Sequence, residues 1–243
     1  MAKRMFLLCL LMLGLMMLSG CGVIDYFFLQ PPADTAQELV QAGNQAMQDK
    51  DYDAAIEYYQ ELKERYPFSP YAPEAELGLA DAYFLDGQMR AAEEAYKEFE
   101  SLHPGSEEIP YVLFQIGRAN FKQFKSIDLP QENITEALEY FTRVLQGYPG
   151  SEHTDRAESF ITKCRRFQAE HELFVADFYW RREEYLSAWK RYTYVLENFQ
   201  GLEDIRSYAA DRSHQAYYLY QVQRSERERA AQRGSWKQWF EWL

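Results

Sequence analysis

The chain has 243 residues and carries 38 acidic against 26 basic side chains, for a net charge of −12. A surface this acidic repels polyanions, so nucleic acid is excluded as a partner. Three cysteines and four scattered histidines supply neither a disulfide framework nor a ligand pair at metal-binding spacing.

The first element is a targeting segment. Lys3 and Arg4 precede an apolar run over residues 5–18, and Ser19, Gly20 and Cys21 follow, so charge, apolar stretch and small residues stand in secretory order. The run is shorter than the ~20 residues a helix needs to span a bilayer. Leu18-Ser19-Gly20-Cys21 looks like a bacterial lipobox, in which diacylglycerol is attached to the cysteine and cleavage falls just before it; the alternative is an ordinary signal peptide cut elsewhere. On the lipobox reading residues 1–20 are removed, leaving 223 residues, and the charge moves from −12 to about −14 because Lys3 and Arg4 leave. Cys21 is then the lipidated N-terminus, and Gly22 beside it resembles lipoproteins sorted to the outer membrane, with the body facing the periplasm. Each buried acyl methylene contributes about 0.8 kcal/mol, so several chains anchor a domain firmly.

Residues 21–34, with Pro31 and Pro32, read as a tether whose Tyr26, Phe27, Phe28 and Leu29 lie on the first repeat or on the membrane surface. Helices then follow in pairs, about 35–48 with 51–65, 71–86 with 88–102, and 108–125 with 131–147. Pro67 stops the first pair, because proline lacks the amide hydrogen and its ring clashes with the preceding turn. Pro104 follows 37 residues later and Pro149 a further 45, the same period lengthened by eight. Aligned on these prolines, the units place small residues where two helices cross and an aromatic four residues past the second: Gly43, Ala55 and Tyr59; Ala80, Ala92 and Tyr96; Gly117, Ala137 and Phe141. A fourth reads Ala176, Ala188 and Tyr192, with Gln200 in place of proline. This pattern predicts an all-α tetratricopeptide-repeat solenoid of about five helical hairpins over residues 35–233.

The extra residues of the third unit, 126–133, form either a binding loop or a tolerated surface insertion. Residues 152–182 read as one helix about twice the usual length, which should project or bend, before a partner at about 184–199. Cys164, alone after processing, reads as a small buried hydrophobe or as a thiol made reactive by Lys163, Arg165 and Arg166. A last helix, about 203–232, ends in a run of mixed charge. Trp236, Trp239, Phe240 and Leu243 follow at helical spacing in a tail over 234–243, which docks on a partner or bilayer interface or else caps the solenoid.

No glycine-rich loop follows a strand and no serine or cysteine stands in a nucleophile motif, so the expectation is a protein without catalytic residues, metal or cofactor. The repeats offer a groove instead. Positions one, four and five past the crossing residue give Asn44, Met47 and Gln48; Asp81, Phe84 and Leu85; Arg118, Phe121 and Lys122; and Asp177, Trp180 and Arg181. An aromatic row with fixed charges suits an extended or helical peptide, unless these side chains merely pack on the next helix.

Arg65-Tyr66-Pro67-Phe68-Ser69-Pro70-Tyr71, Ile109-Pro110-Tyr111-Val112 after Pro104, the lengthened third unit and Gly147-Tyr148-Pro149-Gly150-Ser151 together resemble the BamD family. These are tetratricopeptide lipoproteins of the machinery that inserts β-barrel proteins into the bacterial outer membrane. The likeness runs from the lipobox to the fourth repeat, and Gln200 and the tryptophan-rich tail depart from it. It implies that the N-terminal repeats meet unfolded outer-membrane β-barrel substrates, with Tyr66, Phe68, Tyr71 and Phe84 in contact; the groove positions Arg118, Phe121 and Lys122 read above complete the expected peptide site. It also implies that the C-terminal repeats hold a POTRA domain of BamA, with Arg191 at that interface, where the groove position Trp180 is expected to join it. The nearest alternative is a periplasmic repeat scaffold of a Tol-Pal or cell-wall complex, which normally lacks the lipobox.

Overall fold

The computed structural model describes the backbone of residues 35–240 and the side chains of residues 35–234. The signal segment, Cys21, the tether, Trp242 and Leu243 lie outside the described residues, as do the side chains of Trp236, Trp239 and Phe240. The described residues form nine helices: α1 Ala36–Asp49, α2 Tyr52–Arg65, α3 Ala72–Asp86, α4 Met89–Leu102, α5 Ile109–Gln123, α6 Glu132–Gly147, α7 Thr154–Arg181, α8 Tyr185–Asn198 and α9 Glu203–Phe240. Eight pair into four hairpins and α9 opens a fifth, an all-α tetratricopeptide-repeat fold of the α-solenoid class. Each expected helix is found within two residues of its expected ends except the last, which continues through Gly234 to Phe240. One exposed glycine costs a helix about 1 kcal/mol, too little to break it.

The chain divides into two compact units, one ending at Ala75 and the other starting at Glu76. In the first, α1 opens on a capping box: the Thr35 hydroxyl accepts from the Glu38 amide, and the Glu38 carboxylate accepts from the Thr35 amide. These bonds satisfy two of the amides that a helix start leaves unpaired. The α1–α2 crossing is as tight as the small residues foretell. A Cβ on Gly43 would stand 2.5 Å from the Tyr59 ring, and Ala55 opposite is fully buried. Tyr59 completes the contact by donating its hydroxyl to Asn44 at 2.7 Å.

The second unit repeats the design. Ala80, Ala92, Ala137, Ala176 and Ala188 are all fully buried at their crossings, and a Cβ on Gly117 would stand 2.7 Å from the Phe141 ring. One apolar cluster runs from Ala80 to Cys164 and a second from Ala169 to Ala216. The long helix α7 belongs to both, giving Ala157 and Cys164 to the first and Ala169 and Ala176 to the second. It therefore does not project: each half is the partner of a different hairpin, which is why it has twice the usual length. Burial pushes the Cys164 thiol up to about 12, so the side chain is the buried hydrophobe and not the reactive thiol. The insertion falls in the loop 124–131 and lies on α7, where Phe124 stacks on Phe167 at 4.6 Å between centroids and His171 Nδ1 meets the Ile127 carbonyl at 2.5 Å.

Three of the four turns within hairpins, all but the inserted loop, share one geometry. Lys50, Gly87 and Glu183 each take a positive φ, of 62°, 88° and 60°, which lets the next amide reach back to the helix: Asp51 to Ala46, Gln88 to Tyr83 and Glu184 to Tyr179, at 2.9, 2.9 and 3.0 Å. Only Gly87 takes that conformation without a Cβ clash. Corners between hairpins share another. In Tyr66-Pro67-Phe68-Ser69, His103-Pro104-Gly105-Ser106 and Tyr148-Pro149-Gly150-Ser151, the serine amide bonds the carbonyl of the first residue at 2.9 to 3.0 Å. The serine hydroxyl then accepts the amide two residues on, at 3.2 Å in all three. The fourth corner lacks both proline and serine and turns instead at Gly201, with φ 88°.

Candidate functional site

The residues singled out in the sequence fall on three surfaces. The first is the corner of the N-terminal unit. Phe68 is 99% exposed there, at the position where the second and third corners have Gly105 and Gly150. The turn thus has no structural need of a side chain, and a benzyl group in open water costs roughly 1.5–3 kcal/mol relative to burial. Tyr66 and Tyr71 flank it half-buried. Tyr66 carries the Arg65 guanidinium 5.4 Å from its ring centre.

The second surface lies in the C-terminal unit, where α3, α5 and α7 bring Phe84, Arg118, Phe121, Lys122 and Arg156 into one system of contacts. Phe84 is buried. It forms a floor over which stand Arg118, 4.6 Å from the ring centre, and Lys122, 5.3 Å from it. Arg156 stands 4.6 Å over Phe114, a ring that Arg118 also approaches at 5.9 Å. Phe121 packs on Phe160 and Phe167, at 5.1 and 5.7 Å between centroids, so this member of the expected aromatic row joins the core more than it lines a channel.

Beneath the cations runs a chain of hydrogen bonds. Tyr96 and Tyr111 both donate to Asp81, the latter at 2.6 Å. Gln115 donates to Tyr111 at 2.9 Å and accepts from Arg118 at 2.7 Å. Burial raises the Asp81 carboxyl above its ordinary range, more than the bonds from Tyr111, Tyr96 and Gln115 lower it. The Arg118 pKa is lowered by burial and then by the positive charge of Arg156. The expected groove positions Asn44, Asp81 and Asp177 thus serve the hairpins, each accepting the tyrosine hydroxyl of its own second helix.

The third surface joins α7, α8 and α9. Arg191 on α8 pairs with Glu172 on α7 at 2.8 Å and keeps 45% of its side chain exposed. Trp180 is half-buried, edge-on to Tyr185 at 5.5 Å and under Arg212 at 4.7 Å, a pairing of aromatic and next-hairpin arginine like that of Phe84 and Arg118. Arg156 was not legible in the spacing, since Glu152 four residues earlier suggests an ordinary helix pair. The signal for Arg118 and Lys122 was present: no acidic residue stands three or four positions from either.

Among the described residues, no group of three or more His, Cys, Asp or Glu side chains is placed to hold a metal ion. No helix among them is long and apolar enough to cross a membrane.

Helical hairpins crossing on small residues, with repeated corners and aromatic anchors, define a tetratricopeptide-repeat protein. Residues 32–232 match the family described as YfiO, outer membrane lipoprotein, and the chain belongs to that family. The outer membrane protein assembly factor BamD of Vibrio cholerae is 27% identical over 206 residues, covering 80% of this chain and 84% of that one. BamD of Xylella fastidiosa is 25% identical over 209 residues, covering 79% and 69%. Among solved structures, a thermophilic TPR protein of Thermus thermophilus matches with TM-score 0.42 and 18% identity over 73% of this chain and 98% of that one.

Proposed function

We propose that the protein is a lipid-anchored, non-enzymatic scaffold for assembly of β-barrel proteins in the outer membrane. Cys21 carries the lipid and the repeats face the periplasm. Unfolded barrel segments bind at Tyr66, Phe68 and Tyr71 and on the face of Arg118, Phe121 and Lys122 above Phe84. A POTRA domain of BamA docks around Arg191 and Trp180. Membership of the outer membrane lipoprotein family across residues 32–232 carries the reading, and relatives named as outer membrane protein assembly factors support it. Phe68 adds to it, because a side chain that packs on nothing in a corner where glycine suffices is suited to contact with a partner.

The test is a pull-down of the full lipoprotein from detergent-solubilised membranes. BamA should be recovered and should be lost with Arg191→Glu, which sets a new carboxylate beside Glu172 and reverses the charge offered to a partner. An exposed ion pair is worth about 0–1 kcal/mol, so the variant still folds. Recovery of Tol-Pal or cell-wall proteins without BamA would overturn the function and leave the fold standing.

A further inference from the structure

The helix α9 outruns the hairpin it packs on. The last hydrogen bond described between α9 and the rest of the fold runs from the Gln223 side-chain amide to the Glu183 carbonyl, at 3.1 Å, and every residue over 224–234 is exposed. The hydrogen bonds described for that stretch stay within α9: Arg224 with Glu228 at 2.9 Å, Ser225 with Val222 at 2.9 Å and Arg229 with Ser225 at 3.2 Å. The helix nevertheless continues to Phe240, which at 1.5 Å per residue carries it roughly 25 Å along its axis past the bond to Glu183. A cap on the solenoid would lay this stretch against the hairpins, and its exposure instead holds it clear of them.

The sequence of this extension differs from the body in charge and in composition. Residues 224–243 carry five basic against three acidic side chains, in a chain with 26 basic against 38 acidic. Three of the chain's five tryptophans fall within residues 236–242, with Trp236, Trp239 and Phe240 at helical spacing and Ser235, Lys237 and Gln238 between them. We propose that the last turns of α9, from Arg233 through the tryptophans, rest in the headgroup layer of an anionic bilayer. Indole joins a large apolar ring to one N–H donor, which suits the boundary between acyl chains and water. Interleaved polar residues keep the stretch from being apolar all round, so it lies along the surface and does not cross it. Charge argues for the same occupant: the acidic body is turned away by anionic headgroups, while the basic stem is drawn to them. The match to an outer membrane lipoprotein family puts a membrane within reach. With the lipid proposed at Cys21 the repeats have an attachment on either side of them in sequence, which limits how they turn against the membrane. The seat of α9 does not depend on that lipid.

The test uses vesicles of phosphatidylethanolamine with phosphatidylglycerol, and the processed chain, residues 21–243, with Cys21→Ser so that no lipid is attached. The chain should sediment with these vesicles, and its tryptophan emission should shift to the blue and be quenched by brominated phospholipid. Trp236→Ser, Trp239→Ser and Trp242→Ser together should weaken binding about tenfold or more. They should also remove the shift and the quenching, since the remaining Trp180 and Trp189 pack against the core of the body. All three positions lie beyond the last bond to the hairpins, so the repeats stay folded. Arg233→Glu with Lys237→Glu should weaken binding by less, as should raised salt or vesicles of neutral phosphatidylcholine. Equal sedimentation of the wild type and the tryptophan variant would overturn the bilayer seat. So would a wild type that neither sediments nor shifts its emission, and capture of a protein in cells from a photoreactive residue at position 239 would then assign the stretch to a protein partner. Neither result bears on the scaffold function, which the pull-down tests separately.

Discussion

Tyr59, Tyr96, Phe141 and Tyr192 are the side chains on which the hairpins close, and each is at most 2% exposed. At Gly117 the Phe141 ring already occupies the place of a Cβ, with three ring carbons 2.7 to 2.9 Å from it. Gly117→Ala would gain about 1 kcal/mol of helix propensity and lose about 1–3 kcal/mol to overpacking against a ring that cannot move outward. Urea denaturation should therefore show a net loss of up to about 2 kcal/mol. Asp81 supplies a pH-dependent counterpart. Its folded-state pKa is raised above the unfolded value by burial, so the charged form weakens the fold at neutral pH and that penalty disappears as pH falls below the unfolded pKa. Asn44 shows that an amide can accept the same tyrosine hydroxyl. Asp81→Asn should be more stable than wild type at pH 7, and the gap should close on acidification through the raised pKa; equal stability at both ends of the titration would contradict this. The crossing residues were legible in the sequence because close approach admits only Gly or Ala. The network from Asp81 to Arg118 was not, since Tyr111 and Gln115 look like ordinary helix positions until α3 and α5 are side by side.

Helix ends show the same division. Pro67, Pro104 and Pro149 announce their corners because proline cannot continue a helix, and the three serines two residues later fold each corner alike. The turns after α1 and α7 are silent, because Lys50 and Glu183 hold a left-handed conformation that their side chains do not favour. Glu183→Gly should accordingly stabilise the protein by about 0.5–1 kcal/mol, read as a higher urea midpoint with unchanged m-value. Loss of stability would mean that the Glu183 side chain makes a contact worth more than the strain it bears. The role of α7 was half legible. Its length stood out in residues 152–182, but not its use, since a helix shared by two hairpins and one that projects have the same unbroken pattern. What separates them is that Cys164 and Ala176 are both fully buried, in different clusters.

For the whole molecule, family membership and an aromatic side chain held in open solvent at a corner where glycine suffices are consistent with the proposed scaffold that binds unfolded protein segments by surface contact. The proposed partner surface around Arg191 was reached through family resemblance and not through periodicity, and the pairing of Arg191 with Glu172 became visible only in three dimensions. The most direct measurement is photo-cross-linking in cells from a photoreactive residue replacing Phe68, with Gly150, the equivalent position of the third corner, as control. Precursors of outer-membrane β-barrel proteins should be captured from position 68 and not from position 150. Equal capture from both, or none from position 68, would contradict a substrate-binding role for that corner.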